Sequence, residues 1–223
     1  MVIKIAISGK MCSGKSFCAK MIKKKYNQVK VLSFAGKLKE VTHDLFFDKF
    51  VNVGSLEHTI SQMHKNRRLY VDIGQSMREI DPMVWINHVI RDSNDLRFVV
   101  VDDLRFKNEM NALQKDGWKI VRLKISRDHQ IERLGSIYLN SEEHIDGLTS
   151  VTETELDDVL DTDYDFVVED CDNVGEKVLK WVDDLVKEEN GGKGNGENDN
   201  CVIVDFESYI RAVSYTHLRA HET

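Results

Sequence analysis

Cysteine is sparse in this chain of 223 residues: four, at positions 12, 18, 171 and 201. None forms a C-x-x-C pair, and no His/Cys cluster has zinc-finger spacing. A disulfide framework and a structural zinc site are therefore not expected, and a reducing, cytoplasmic setting is the default. No stretch approaches the roughly 20 apolar residues needed to span a bilayer. The first residues, Met1-Val2-Ile3-Lys4-Ile5-Ala6-Ile7-Ser8, lack the basic start, apolar stretch and small-residue cleavage site of a secretory signal. They read as a strand. An excess of positive charge is also missing, since 31 Lys and Arg stand against 38 Asp and Glu for a net charge of −7. That balance speaks against polymeric nucleic acid or an anionic membrane as a partner, and leaves room for a small anionic substrate in a local basic cleft. With 41% hydrophobic and 31% charged residues, the composition excludes a collagen, a coiled-coil rod and a fully disordered chain.

Length suggests one domain with a tail. An amphipathic helix over 174–186 runs into a Gly/Asn/acid stretch that has nothing to bury and reads as a flexible linker. The domain is expected at 1–188, the linker at 189–200 and an unassigned tail at 201–223. Within that tail, 201–206 reads as a short strand, and 214–223 resembles the translation of a sequencing-library adapter, an assembly artefact.

Inside the domain, strand and helix patterns alternate. Strands are expected at 2–8, 29–34, 98–101, 119–125 and 165–168. Helices are expected from the Gly-rich turn to Tyr26, then at 36–47, 67–77, 108–115, near 129–138 and at the C-terminal end. A further helix starts with Asp81 as cap and Pro82 in its first turn. The runs 2–7, 98–101 and 166–168 are continuously apolar, as parallel strands buried on both faces are. The alternation predicts a three-layer α/β fold with a parallel sheet flanked by helices. There is no internal repeat.

Gly9-Lys10-Met11-Cys12-Ser13-Gly14-Lys15-Ser16 fits G-x-x-x-x-G-K-[ST] without a mismatch, after an apolar strand and at the start of a helix. Gly9 and Gly14 permit the tight turn that aims backbone N–H groups of the loop, Cys12 and Ser13 included, at a phosphate. The helix N-terminus adds its positive end. Lys15 would bridge the β- and γ-phosphates of ATP, and Ser16 would hold Mg²⁺. Cys12, beside that helix start and between Lys10 and Lys15, is expected to be a low-pKa thiol that alkylates faster than Cys171 and is protected by nucleotide. The strand Phe98-Val99-Val100-Val101 ends in Asp102-Asp103, a Walker B pattern whose carboxylate serves the metal. No N-K-x-D guanine motif occurs, and no Ser-His-Asp or Cys-His arrangement is apparent. His43, His58, His64, His88, His129 and His144 have no partner at metal-ligand spacing. A small phosphotransferase then needs cations for its acceptor, and Lys39, Arg67, Arg68, Arg78 and Arg105 are the candidates. Arg105 stands out because it follows the C-terminal end of a buried strand, where α/β ligand sites form.

Several segments together resemble the deoxynucleoside monophosphate kinases of viruses and phages, a family close to the animal-type phosphomevalonate kinases. They are the phosphate loop, 32–39, Arg67-Arg68-Leu69 with Gly74 and Trp85, Asp103-Leu104-Arg105 with Glu109-Met110, and Thr152-Glu153-Thr154-Glu155-Leu156. The match covers nearly all of 3–187. Lys37 stands where that family usually has proline, Asp102 where it has a small residue or proline, and Leu104 where it has threonine. The resemblance implies a P-loop NTPase fold with acceptor-binding and lid segments. It implies that Lys39, Arg68 and Arg105 grip the acceptor phosphate and that Asp103 serves the metal. A lid would start at Ser126, with Arg127 ranked ahead of Arg133 as its arginine. The implied reaction is Mg·ATP-dependent phosphorylation of a (deoxy)nucleoside monophosphate, and the family also suggests a homodimer. Two other readings stand beside it: a kinase of another phosphate-bearing acceptor, phosphomevalonate or dephospho-coenzyme A, and a non-catalytic nucleotide-binding regulatory module.

Overall fold

The computed structural model describes residues 2–46, 56–137, 145, 147–169 and 173–189, and within its longest helix the side chains from Arg68 onward. The chain beyond Glu189, Cys171 and His144 lie outside these residues, so the expected linker and tail are not described.

The described strands are β1 (Ile3–Gly9), β2 (Lys30–Leu32), β3 (Phe98–Leu104), β4 (Lys119–Leu123) and β5 (Phe166–Val168), in the sheet order β2-β3-β1-β4-β5. β1 runs parallel to β3, with Ile3 opposite Phe98, and to β4, with Ile5 opposite Lys119. β4 runs parallel to β5, with Val121 opposite Phe166. Continuous apolar runs make the central strands because both of their faces are covered: Ile5, Ala6, Ile7, Val99, Val100 and Val101 are all fully buried. β3 runs three residues further than its apolar stretch. Its register against β1 shifts between Ala6 opposite Val101 and Ser8 opposite Leu104. Asp102 and Asp103 together therefore face the single residue Ile7, an irregularity that re-aims side chains at the strand end.

Two helices cover one face of this sheet. α1 (Lys15–Lys25) and the C-terminal helix Val174–Glu189 pack Phe17, Met21, Ile22, Val178 and Val182 against Ile5, Ile7, Val121 and Leu123. Phe166 stacks on Trp181 at 5.4 Å between ring centroids. The two helices meet at Gly175, where an added Cβ would lie 2.3 Å from Met21 Sδ and 2.6 Å from Phe17 Cε1. No described helix is long and apolar enough to cross a membrane.

The chain forms two compact units, one built from the residues up to Val31 and from Asp95 onward, the other from Leu32–Asn94. The second contains α2 (Phe34–Leu45), α3 (Leu56–Ile80) and α4 (Val84–Ser93). Ser33 caps α2 by accepting the Gly36 N–H at 3.1 Å. α3 is much longer than the expected 67–77, because no Gly or Pro interrupts the sequence between Leu56 and Gly74. At Gly74 α3 comes close to α2, since a Cβ there would lie 3.0 Å from Leu38 Cδ2. The expected start of α4 needs correction. Asp81 accepts the Met83 N–H with its side chain and the Val84 N–H with its carbonyl, so 81–83 form a turn and the helix begins at Val84.

Two glycines allow a test of opposite sign. Gly175→Ala should destabilise the protein by about 1–3 kcal/mol through overpacking. Gly135→Ala, at an exposed helical position with open space around its Cβ, should stabilise it by about 0.5–1 kcal/mol. Urea unfolding midpoints of both variants read the pair.

Candidate functional site

The phosphate loop joins β1 to α1 as the motif requires. Gly9 has φ 153° and sits so tightly that a Cβ would lie 2.5 Å from Ser13 Oγ and 2.6 Å from the Leu123 carbonyl. Gly14, at φ 99°, leads into α1, and Cys12 is held at φ 64°, an uncommon value outside glycine. Four successive carbonyls of the loop accept side-chain hydrogen bonds. Lys15 Nζ donates to Gly9 O at 2.6 Å and to Lys10 O at 2.8 Å. Gln130 Nε2 donates to Met11 O at 3.1 Å, and Arg133 Nη1 to Cys12 O at 3.1 Å. The Met11 N–H already holds an anion, donating at 2.6 Å to Glu153 Oε2. Ser13 Oγ is buried with no hydrogen-bond partner among the described residues, as suits a hydroxyl in a loop built for phosphate oxygens.

Burial sets the electrostatics here. It lowers the pKa of Lys15 to about 8, with help from the Arg105 guanidinium and against Glu153, Asp102 and Cys12. Cys12 corrects the expectation of a thiolate. Burial pushes its thiol up to about 11, outweighing the opposing pull of Lys15 and Arg133, and Glu153 adds to the rise. The thiol is protonated at neutral pH and is not an activated nucleophile. Asp102 is also raised, first by burial and then by Asp103, while its hydrogen bond with Ser16 and the nearby Lys15 oppose the rise. A buried carboxylate beside a hydroxyl is a hard oxygen pair of the kind Mg²⁺ takes together with phosphates and water. Ser16 and Asp102 thus fit the metal. Phe98 and Val100 pack on the α1 side of the sheet, and the alternation of the strand puts Asp102 rather than Asp103 on that same side, toward Ser16.

Arg105 follows β3 and is fixed at its backbone, where the Arg105 and Phe106 N–H groups donate to Glu109 Oε2 at 2.9 and 3.0 Å. Its guanidinium pairs with Glu153 and also donates to the Thr152 carbonyl at 3.3 Å. On α6 (Arg127–Ile137), the helix after α5 (Lys107–Lys115), Ser126 caps the first turn by accepting the His129 N–H at 3.2 Å. Of the two lid candidates, Arg133 contacts the phosphate loop, whereas Arg127 lies exposed in the first turn. The remaining acceptor candidates belong to the second unit. There Lys39 is exposed on α2, Arg68 faces solvent with Asp72 at 3.8 Å, Arg78 is partly buried near the end of α3, and Arg67 lies on α3.

A family model described as phosphomevalonate kinase matches residues 7–118, half of the chain. The chain belongs to the phosphomevalonate kinase family. The matched segment takes in the phosphate loop, the whole second unit and Asp102 to Arg105, and membership with this loop makes the protein a P-loop kinase. No curated protein matches the sequence. Among solved structures, shikimate kinase from Bacteroides thetaiotaomicron is similar at 14% identity and a TM-score of 0.47, over 83% of this chain and 98% of that one. Shikimate kinase from Acinetobacter baumannii in complex with shikimate is 12% identical, with a TM-score of 0.48 over 87% and 97%. A gluconokinase from Sinorhizobium meliloti 1021 is 13% identical, with a TM-score of 0.48 over 86% and 98%.

Sequence reasoning passed over Gln130 and Arg122, and gave Glu153 no role. Each is a polar residue whose partner lies far along the chain. Arg122 is buried in β4, donating to Ser8 Oγ at 3.0 Å and to Asp157 at 3.3 Å. Asp157 also takes Lys10 at 2.8 Å. A cleft of about 260 Å³ opens beside these groups, but its cations are already paired, Lys124 with Asp161 and Glu169.

The lowered Lys15 pKa has a consequence for binding. Above pH 8 the ammonium of the free protein loses its proton, while bound phosphates favour the charged form. Nucleotide binding should therefore take up close to one proton near pH 9 and almost none near pH 6.5, and affinity should fall as pH rises through 8. Calorimetry of ATP binding in buffers of different ionisation enthalpy measures this uptake, and Lys15→Arg should abolish it.

Proposed function

We propose that the protein transfers the γ-phosphoryl group of ATP to an acceptor that already carries a phosphate, with phosphomevalonate as the first candidate. The observation that carries this reading is the family match across the phosphate loop and the Asp102–Arg105 strand end. The site's chemistry supports it. A phosphate monoester is largely dianionic at pH 7, so the attacking oxygen needs no general base. The demand is for in-line positioning and for cations around the charge that spreads over the transferring group. Lys15 and Arg105, near enough to depress the Lys15 pKa, supply two of them, and Arg133 stands at the loop. Ser16 and Asp102 would hold Mg²⁺, which when bound neutralises phosphate charge. A (deoxy)nucleoside monophosphate is the second acceptor reading, favoured by the order of Arg67-Arg68-Leu69, Asp103-Leu104-Arg105 and Thr152–Leu156 along the chain.

ADP release measured with Mg·ATP across phosphomevalonate, the four dNMPs and the NMPs tests this, with dephospho-coenzyme A, which offers a ribose hydroxyl and no phosphate monoester, beside the unphosphorylated compounds as a control. Turnover is expected with a phosphate monoester and not with mevalonate or a deoxynucleoside. Turnover of the unphosphorylated compounds, or none with any acceptor, overturns it. In the same assay Lys15→Ala should lower kcat at least about a hundredfold, the usual size of losing one charge-stabilising donor, while a melting curve shows the fold intact.

A further inference from the structure

The least accessible charged side chain at the loop is an acid, not a base. Glu153 has a side chain only 1% exposed, and both of its oxygens are engaged, one by the Met11 N–H and one by the Arg105 guanidinium. An acid over a phosphate loop has two physical explanations. It is a plug that phosphate displaces, or a clamp that stays in place and holds something else.

The surrounding packing decides between them. Glu153 lies on α7 (Val151–Thr154), a single turn. On either side the chain is anchored by an apolar residue, Leu148 at 2% and Leu156 at 4% exposure. Polar ties add to the anchors. Asp157 binds Lys10 and Arg122, Glu155 accepts the Lys107 N–H at 3.2 Å, and Asp158 pairs with Lys107 at 2.6 Å. Moving the backbone that carries Glu153 away from the loop would pull two leucines into water and break several of these contacts, and a rotation of its side chain alone would strip Arg105 of its partner. A plug would need a hinge, and 148–158 is fastened along its length.

The charge arrangement points the same way. Arg105 and Lys15 repel each other, and Glu153 attracts both. With the Glu109 carboxylate on its backbone N–H and Glu153 on its guanidinium, Arg105 is held at both ends. Without Glu153, a side chain already 28% exposed has every electrostatic reason to leave Lys15 for solvent. We infer that Glu153 is a positioning residue, one that clamps Arg105 to the phosphate loop through the Met11 amide and keeps that contact when nucleotide is bound. The inference rests on the kinase reading only for what Arg105 then does, which is to face the transferring phosphoryl group or its acceptor.

A double-mutant cycle and an NMR measurement test the clamp together. Glu153→Gln keeps an acceptor for Met11 but removes the charge that holds Arg105. It should lower kcat about tenfold to a hundredfold, the range for a lost charge-assisted contact, with the KM for ATP within about twofold. Placed on Arg105→Ala it should cost less than about a further twofold, because both variants remove the same placement. Independent multiplication of the two losses would overturn the clamp. In ¹⁵N-labelled protein, the Met11 amide proton should be shifted strongly downfield and the Arg105 Nη–H signals resolved, both with and without a non-hydrolysable ATP analogue and Mg²⁺. Glu153→Gln should erase the Arg105 signals. Return of the Met11 proton to an ordinary position on adding the analogue would show a plug and overturn the clamp. If Glu153→Gln fails to fold, Glu153→Asp runs the same cycle with the charge kept and the reach shortened. A wild type without turnover on any acceptor would defeat the kinase reading, and the NMR signals would still decide the clamp.

Discussion

The phosphate loop bends so sharply that four successive carbonyls, from Gly9 to Cys12, and the Met11 amide turn to side chains, and these come from three places in the sequence. Lys15, from the helix that follows, covers the Gly9 and Lys10 carbonyls, Gln130 and Arg133 from α6 cover those of Met11 and Cys12, and Glu153 takes the Met11 amide. Each bond adds modestly to stability, about 0.5–1.5 kcal/mol net, but each group left buried and unpaired would cost more. The loop therefore keeps its shape only while the sheet holds α6 and 148–158 in register around it. The parallel pairing of β1 with β4 and of β4 with β5 supplies that register.

An acidic chain can bind anions because the local balance differs from the total. Around the loop, Lys15, Arg105, Arg122 and Arg133 converge, while the acids nearest them are committed to partners: Glu153 to Arg105, Asp157 to Lys10 and Arg122, Asp102 to Ser16. Further along, Asp158, Asp161 and Asp165 pair with Lys107, Lys124 and Lys119. Those outer pairs are exposed and individually weak.

Much of this was legible in the sequence, for definite reasons. The loop motif specifies its own backbone, and an apolar run such as Phe98–Val101 has few places to go except a buried strand. Element ends were harder to read, because Asp81 serves a turn as readily as a cap and nothing local stops α3 from starting at Leu56. Which carboxylate faces Ser16 follows from the alternation that puts Phe98, Val100 and Asp102 on one side, but which side α1 covers is settled only by the packing of the sheet. Cys12 shows the same limit. Its neighbours in sequence favour a thiolate, but its burial, which only the fold creates, outweighs them. Glu153 is the sharpest case, since its partners Met11 and Arg105 lie 142 and 48 residues away.

The division of the chain bears on how an acceptor could be selected. Leu32–Asn94 begins at the last residue of β2, ends before β3 and forms a unit of its own. It carries Lys39, Arg67, Arg68 and Arg78, whereas the loop, Asp102, Arg105 and Arg133 belong to the unit built on the sheet. Donor chemistry thus depends on contacts that run through the sheet, where a change at one residue disturbs the loop. In the proposed reading, acceptor preference depends on helices whose surfaces carry no such burden, as the exposure of Lys39 and Arg68 shows. Substitutions there can alter the acceptor while the phosphate loop keeps its geometry. In the proposed reading, the deciding differences in this chain are to be sought among residues 32–94.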